Sequence, residues 1–508
     1  MKQTRARNHA LALLSIMAIA AIAFLGKGYE VTLRGIDSNI HAAAAMNVTA
    51  HGIKPLLPIP YSIYPDGIFN DHPFTLFWLN GWIMRALGPE AWSARLLTAG
   101  FAVGSVWLTY RIAAFLLSPT VGLLAALILA LTRDFVLTAG TFSLDTSLVF
   151  FILLSFWYWL RGRPVSAGLA AGLGLWFKTP VVLLLYPTVF FASLIQKRLR
   201  MDLRPLLISA AVAVVMGGVF WTGVGLLGDW AVVRDYWVRQ FWGTAVGGRG
   251  QSDHQWTLII YTLKTGFLPG LPLLIWGLGK GFLRGRWRDS FFLIPLLATL
   301  IVTAVVTLMR FKLGHYFTPI FPFLSILGAY AVAEWIQKHA DRFCTGVTGF
   351  VVVLATFLVI TPAPLAPEPF DALRKFEAFI SRSGRCDEKV WLVPGGEPVG
   401  GELDYKLHLL FYTGREPKVV ECRDLASRLT QGAPDWLIVS AANYRGCLTD
   451  GERARFRSAI LIGNQVLASR NTSMSPLADL TPLYVEGKAV TDCKPPAYPR
   501  DMWHKYAD

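Results

Sequence analysis

Charge is scarce in this sequence. Only 16% of its 508 residues are Asp, Glu, Lys or Arg, against 54% hydrophobic and 13% aromatic, a balance too apolar for an ordinary soluble enzyme of this length. There is no GxxxxGK[ST] loop and no GxGxxG opening a helix after a strand, so the common nucleotide-phosphate cradles are excluded. HExxH and paired CxxC spacings are absent as well, which removes the standard zinc sites, and no cofactor motif is evident. Cysteine is limited to five residues. Beyond about Thr361 there are no further bilayer-length apolar runs, and the remainder is polar and mixed.

What is present is a series of apolar segments, several of bilayer length, roughly 20 residues for a crossing helix. They place helices near 10–26, 93–117, 119–133, 144–160, 165–178, 180–195, 205–226, 256–279, 290–309, 316–337 and 343–361. The expectation is a mostly α membrane protein with about 11 transmembrane helices in residues 1–362, and a small C-terminal α/β domain in 363–508. The first run follows a basic start but lacks a small-residue cleavage site, and reads as a retained helix.

The formal charge of +15 resembles a nucleic-acid signal until it is divided. From Leu365 onward there are 19 basic and 19 acidic residues, so the whole excess lies in the membrane part. There it gathers in alternate loops at Lys2/Arg5/Arg7, Arg161/Arg163, Lys197/Arg198/Arg200/Arg204, Lys280/Arg284/Arg286/Arg288 and Lys338/Arg342, as the positive-inside rule expects. Nucleic-acid binding is not expected. An odd number of crossings then gives a cytoplasmic N-terminus and a periplasmic C-terminus in a bacterial inner membrane. The loops at about 27–92 and 228–255 share the periplasmic side, and Pro73–Leu87 within the first suits a helix lying in the interface plane.

The C-terminal region alternates short apolar runs, Val390–Val393, Leu409–Tyr412, Trp436–Val439 and Ala459–Leu467, with turn residues and one expected helix near Gly451–Ile460. Four cysteines, Cys386, Cys422, Cys447 and Cys493, fall here, which fits an oxidising compartment and up to two disulfides, with all three pairings open.

Ionisable side chains in or beside membrane segments cost a few kcal/mol on insertion scales and commonly mark a site or pathway. On the outer side these are Asp37, Asp71, His72, Arg133, Asp134, Asp145, Lys178, Arg249, Asp253, His254, Arg310, Lys312 and His315, with Tyr316 beside them. Singly, several have plain explanations: Lys312 could be a snorkelling anchor and His72 a loop residue. Together they offer carboxylates to activate an acceptor and cations for a phosphate at one membrane face. That is the chemistry of transfer from a lipid-linked phosphosugar, in which charge builds on the departing phosphate and a base serves the acceptor.

The order of motifs resembles the bacterial lipid-carrier-dependent glycosyltransferases of the GT-C fold, the family of the aminoarabinose transferase of lipid A and the protein O-mannosyltransferases. The similar segments are RGIDSNIHA (34–42), NDHPFTLFW (70–78), GPEAWSARL (88–96), TFSLDTSLVFF (141–151), GLAAGLGLWFKTP (168–180) and FKLGHYFTPIFP (311–322). The resemblance implies an inverting transfer from a polyprenyl phosphate, such as undecaprenyl phosphate, to a periplasm-exposed acceptor, lipid A or another envelope glycan. Asp37 and Asp145 would be the catalytic carboxylates. Lys178, Arg249, His72 and Lys312 would meet the donor phosphate, while Asp71, His254, His315 and Tyr316 would line the cavity. If a divalent metal takes part, Asp37 and Asp71 are the residues available to it. The sequence departs from the family where Asp-Glu reads Asp37-Ser38, Lys-Pro reads His72-Pro73, and Lys178 precedes Thr179 in place of glycine, which puts the phosphate role of position 72 in doubt. Protein O-glycosylation stays open as an alternative, as does a lipid-linked-sugar transporter or a non-catalytic scaffold.

Overall fold

The computed structural model describes residues 2–25, 36–60, 68–88, 91–178, 180–196, 203–247, 257–360, 380, 388–393, 417–462 and 465–471. All eleven expected apolar segments are helical, though not all are single helices. Five helices are long and apolar enough to cross a membrane: Thr4–Phe24, Ala91–Leu116, Arg204–Leu227, Ser290–Leu308 and Ala340–Leu358. The number rises to seven if two bent pairs each count as one span, and three shorter apolar helices accompany them, so length and composition do not by themselves confirm about eleven crossings.

Local chemistry explains the interruptions. Pro119–Leu131 gives way to Arg133–Ala139 with a 66° bend at Thr132, whose hydroxyl bonds back to the Ile128 carbonyl. Expected as one helix, 256–279 contains Leu258–Tyr261, a wide turn over Thr262–Gly266 and then Leu271–Leu283 after a 111° change of direction. The Phe267–Gly270 stretch at that corner carries Pro269, which removes a backbone donor. Likewise 316–337 divides into a tight turn Gly314–Ile320 and the helices Phe321–Tyr330 and Ala333–Lys338, with Pro319 and Pro322 at the first junction.

Packing between helices relies on small residues, which let backbones approach where lipid gives no hydrophobic drive to associate. The Pro164–Phe177 helix lies against Arg204–Leu227 through Gly168 and Gly172: a Cβ on either would collide with the Ser209 carbonyl or the Met216 side chain. The Trp176 indole donates to the Met216 carbonyl at 2.8 Å and fixes the register. The helix ends at Phe177, shortly before Pro180, and Lys178 is its cap.

The segment after the first helix is ordered around two helices, Ile36–Ala50 and Thr75–Leu87, the latter within the Pro73–Leu87 stretch expected to be helical. The two helices meet where a Cβ on Gly81 would strike the Ala45 carbonyl. A short antiparallel ladder, with Ile59 opposite Phe69, closes the chain between them.

The C-terminal region holds a five-stranded sheet ordered Lys418–Val419, Val390–Val393, Trp436–Ser440, Gln465–Ser469, Ser458–Ile462. The first three strands are parallel, and Gln465–Ser469 runs antiparallel to both of its neighbours. The helix expected near Gly451–Ile460 is replaced by one turn, Asp450–Arg453, closed by a Thr449/Glu452 capping box, and by the strand Ser458–Ile462. Ser458–Ile462 pairs with the next run, Ile460 facing Leu467, and cross-strand pairing outweighs local helix preference. Cys422 and Cys447 are joined in a disulfide with Cα atoms 5.4 Å apart. Cys386, Cys493 and the run Leu409–Tyr412 lie outside the described residues.

Candidate active site

The site is assembled around the start of the Leu144–Leu160 helix. Ser143 caps it, its hydroxyl accepting from the Asp145 N–H at 3.1 Å, so Asp145 sits in the first turn, where unpaired N–H groups favour a carboxylate. The preceding Gly140–Ser143 segment is held from three sides. Buried Arg95 donates to the Gly140 carbonyl at 3.2 Å and Thr98 to the Thr141 carbonyl at 3.1 Å. From the first loop, the Ser38 hydroxyl accepts from the Phe142 N–H at 2.9 Å, and His41 Nδ1 lies 2.9 Å from the Phe142 carbonyl oxygen.

Asp145 is not alone. Lys178 Nζ lies 2.5 Å from Asp145 Oδ1, and His315 Nε2 stands 3.9 Å from the other oxygen. The ion pair is almost sealed, the Lys178 and Asp145 side chains being 8% and 6% exposed. The Lys178 ammonium also stands 5.6 Å from the centre of the Tyr316 ring. Across the space, Asp71 accepts from the Gln240 amide, and neighbouring Asn70 donates to Asp235 at 2.7 Å and to the Val232 carbonyl at 3.2 Å. These contacts tie the first loop to the 230–247 segment. His72 stands with its ring 5.5 Å from that of His41.

These groups enclose a cavity of about 660 Å³ lined by Asp37, Asp71, His72, Asp145, Lys178, His315 and Tyr316 among others. A narrower compartment of about 160 Å³ shares Asp71, His72, Asp145, Lys178 and Tyr316 and continues between apolar side chains including Leu148, Val181, Phe241, Val306 and Met309. A charged chamber thus adjoins a greasy one across shared side chains, an arrangement suited to a ligand with a polar head and an apolar tail.

Residues 71–221 match the family model described as dolichyl-phosphate-mannose-protein mannosyltransferase. Among solved structures, ArnT from Cupriavidus metallidurans bound to undecaprenyl phosphate superposes with a TM-score of 0.67 at 14% identity, covering 92% of this chain and 98% of that one. AglB from Archaeoglobus fulgidus, in complex with an inhibitory peptide and a dolichol-phosphate, gives 0.51 at 12% identity over 92% and 75%. No curated protein matches the sequence. This chain has the GT-C glycosyltransferase fold.

Within this GT-C chain, seven expected residues converge on one cavity: Asp37, Asp71, His72, Asp145, Lys178, His315 and Tyr316. Lys312 does not join them. It is buried, donates to the Thr307 carbonyl at 2.6 Å and lines neither compartment, because its long stem folds back along its own chain. Arg249 and His254 lie outside the described residues.

Several participants went unrecognised in the sequence. His41 follows Asp37 by four positions, one helical turn along the same face, so its presence beside Asp37 was readable once that segment is taken as a helix. Gln240 gave no such sign, and Arg95, though part of the GPEAWSARL segment, carried no assigned role, since both act on segments distant in the chain. As for a metal, Asp37 and Asp71 both line the cavity. Among the described residues, however, no three His, Cys, Asp or Glu side chains converge as a protein-held ion needs.

Proposed function

We propose that this protein is a glycosyltransferase that moves a sugar from a polyprenyl phosphate carrier to an acceptor reaching the outer face of the membrane. The observation that carries this reading is that the two compartments lie side by side and share Lys178 in their lining. A polyprenyl tail suits the apolar compartment, its phosphate the ammonium at the junction, and the sugar the larger chamber. Lys178 has three N–H groups and Asp145 takes one in this structure, so Asp145 aims the cation while the others remain for phosphate oxygens.

In the reaction the acceptor hydroxyl attacks C1 of the sugar, the bond from C1 to the phosphate oxygen breaks, and polyprenyl phosphate leaves with the electron pair. Inversion at C1 follows from attack opposite the leaving group. Asp37, exposed at the cavity edge, is positioned to receive the hydroxyl proton, and Lys178 stabilises the charge gathering on phosphate. The eleven-crossing topology, a periplasmic C-terminal domain and an inner-membrane location belong to the same proposal. They are supported by the basic clusters and by the disulfide. Lipid A or another envelope glycan is the acceptor we favour. The family-model match to a protein mannosyltransferase favours a second reading, transfer to protein.

The test uses purified protein in nanodiscs with radiolabelled undecaprenyl-phosphate sugars and two acceptor pools, a membrane-lipid extract and envelope protein. Wild type is expected to label one pool, and Asp37→Asn to do so roughly 10²-fold more slowly, the range for loss of a general base. Equal rates for the two proteins would remove Asp37 from the chemistry. Label in the protein pool would select the second reading.

A further inference from the structure

His41 is buried, with 4% of its surface exposed, yet it lines the larger cavity. Its ring is clamped by the rings of Phe77, His72 and Phe142, whose centres lie 5.2, 5.5 and 5.7 Å away. Nδ1 faces the Phe142 carbonyl at 2.9 Å, and a carbonyl only accepts, so this nitrogen carries the proton. In a neutral imidazole the other nitrogen is then a lone-pair acceptor. Burial lowers the pKa of His41, outweighing the pull of Asp37, of the Phe142 carbonyl and of Asp145 towards the charged form and acting with the push of Lys178. Among the described residues no hydrogen bond to Nε2 is found, and His41 forms part of the cavity wall. The ring is therefore oriented by the fold, with one acceptor atom left for a ligand.

Resting on the transferase reading, we propose that His41 is a substrate-contacting residue whose Nε2 accepts a hydrogen bond from a hydroxyl of the bound substrate, on the donor sugar or on the acceptor. An acceptor-only atom disfavours phosphate oxygens at the same place, so His41 and Lys178 together set which end of a phosphosugar lies where. The carbonyl of Phe142 does the orienting, and Ser38 fixes the same residue from its N–H.

Two substitutions separate contact from support. Asparagine places its amide nitrogen near the position of Nδ1 and preserves the bond to Phe142, but leaves nothing at Nε2. Glutamine reaches the position of Nε2 and gives up the bond to Phe142. With the wild-type donor and acceptor of the nanodisc assay, His41→Asn is expected to keep the wild-type melting temperature and raise one KM roughly 3- to 10-fold, the worth of one neutral hydrogen bond. The affinity for undecaprenyl phosphate, which has no sugar, stays unchanged. A rise in the donor KM assigns the hydroxyl to the sugar, and a rise in the acceptor KM assigns it to the acceptor. His41→Gln is expected to melt lower while keeping both KM values near wild type. The reverse pattern, or two variants with unchanged KM values, overturns the proposal. Should His41→Asn fail to fold, the KM values of His41→Gln decide, since an increase there also overturns it. A wild-type protein that moves no label from any donor removes the transferase reading, and this assignment with it.

Discussion

Asp37 and Asp145 present the same carboxylate in opposite settings. Asp37 is exposed at the cavity edge, whereas Asp145 is buried against Lys178 at 2.5 Å. Breaking a buried pair by removing one partner strands the other charge and costs about 3–5 kcal/mol. Asp145→Asn is therefore expected to lower the melting temperature and abolish transfer together, while Asp37→Asn slows transfer and leaves melting unchanged. Thermal unfolding in detergent checks both, and equal melting of the two variants would show that the ion pair carries no structural weight. His41 adds a dependence on pH. Its pKa in the folded protein lies below the ordinary histidine value, so on acidification the unfolded chain takes up a proton that the folded one does not. This contribution to stability is complete above about pH 6.5 and declines below it. Melting measured from neutral pH to about pH 5.5 should fall less steeply in His41→Asn than in wild type. Identical slopes would contradict the buried, neutral ring. At this scale the sequence exposed the charges, because ionisable side chains stand out among apolar neighbours. It hid their partners: nothing local reveals that Lys178 faces Asp145 or that Gln240 meets Asp71, contacts made only when distant helices pack.

Elements were legible where composition alone decides them. Apolar runs gave the helical segments, and the Thr75–Leu87 helix emerged from its aromatic and polar spacing. Breaks were not legible, since the 111° turn before Leu271–Leu283 and the division of 316–337 depend on prolines and on neighbours that re-satisfy the backbone. In the C-terminal region, the helix expected near Gly451–Ile460 overlaps only the start of the Ser458–Ile462 strand, whose partner Gln465–Ser469 supplies the deciding hydrogen bonds. The glycine seam between Pro164–Phe177 and Arg204–Leu227 gives a direct test. Gly172→Leu must push the helices apart, costing about 1–3 kcal/mol for overpacking, and should displace Lys178 with a matching loss of transfer. Gly218→Ala, where a Cβ meets nothing within 4 Å, is the control and should melt at or above wild type. Equal behaviour of the two variants would contradict the seam.

The molecule as a whole joins a multi-pass helical bundle to a sheet-containing region carrying a disulfide. Closing a loop of 25 residues between Cys422 and Cys447 constrains the unfolded chain by about 3–4 kcal/mol in the chain-entropy account, so Cys422→Ser should lower the unfolding transition of the C-terminal region. Thiol labelling of intact spheroplasts without reductant should leave both cysteines unmodified, and prompt labelling would contradict an oxidised C-terminal region. Chemistry and transport differ most sharply in the fate of the carrier. In proteoliposomes loaded with radiolabelled undecaprenyl-phosphate sugar and acceptor, free undecaprenyl phosphate released should equal label transferred, mole for mole, from the first minutes onward. Label that crosses the membrane while still linked to its carrier, with no undecaprenyl phosphate released, would contradict the transferase account and identify the cavity as a route of passage.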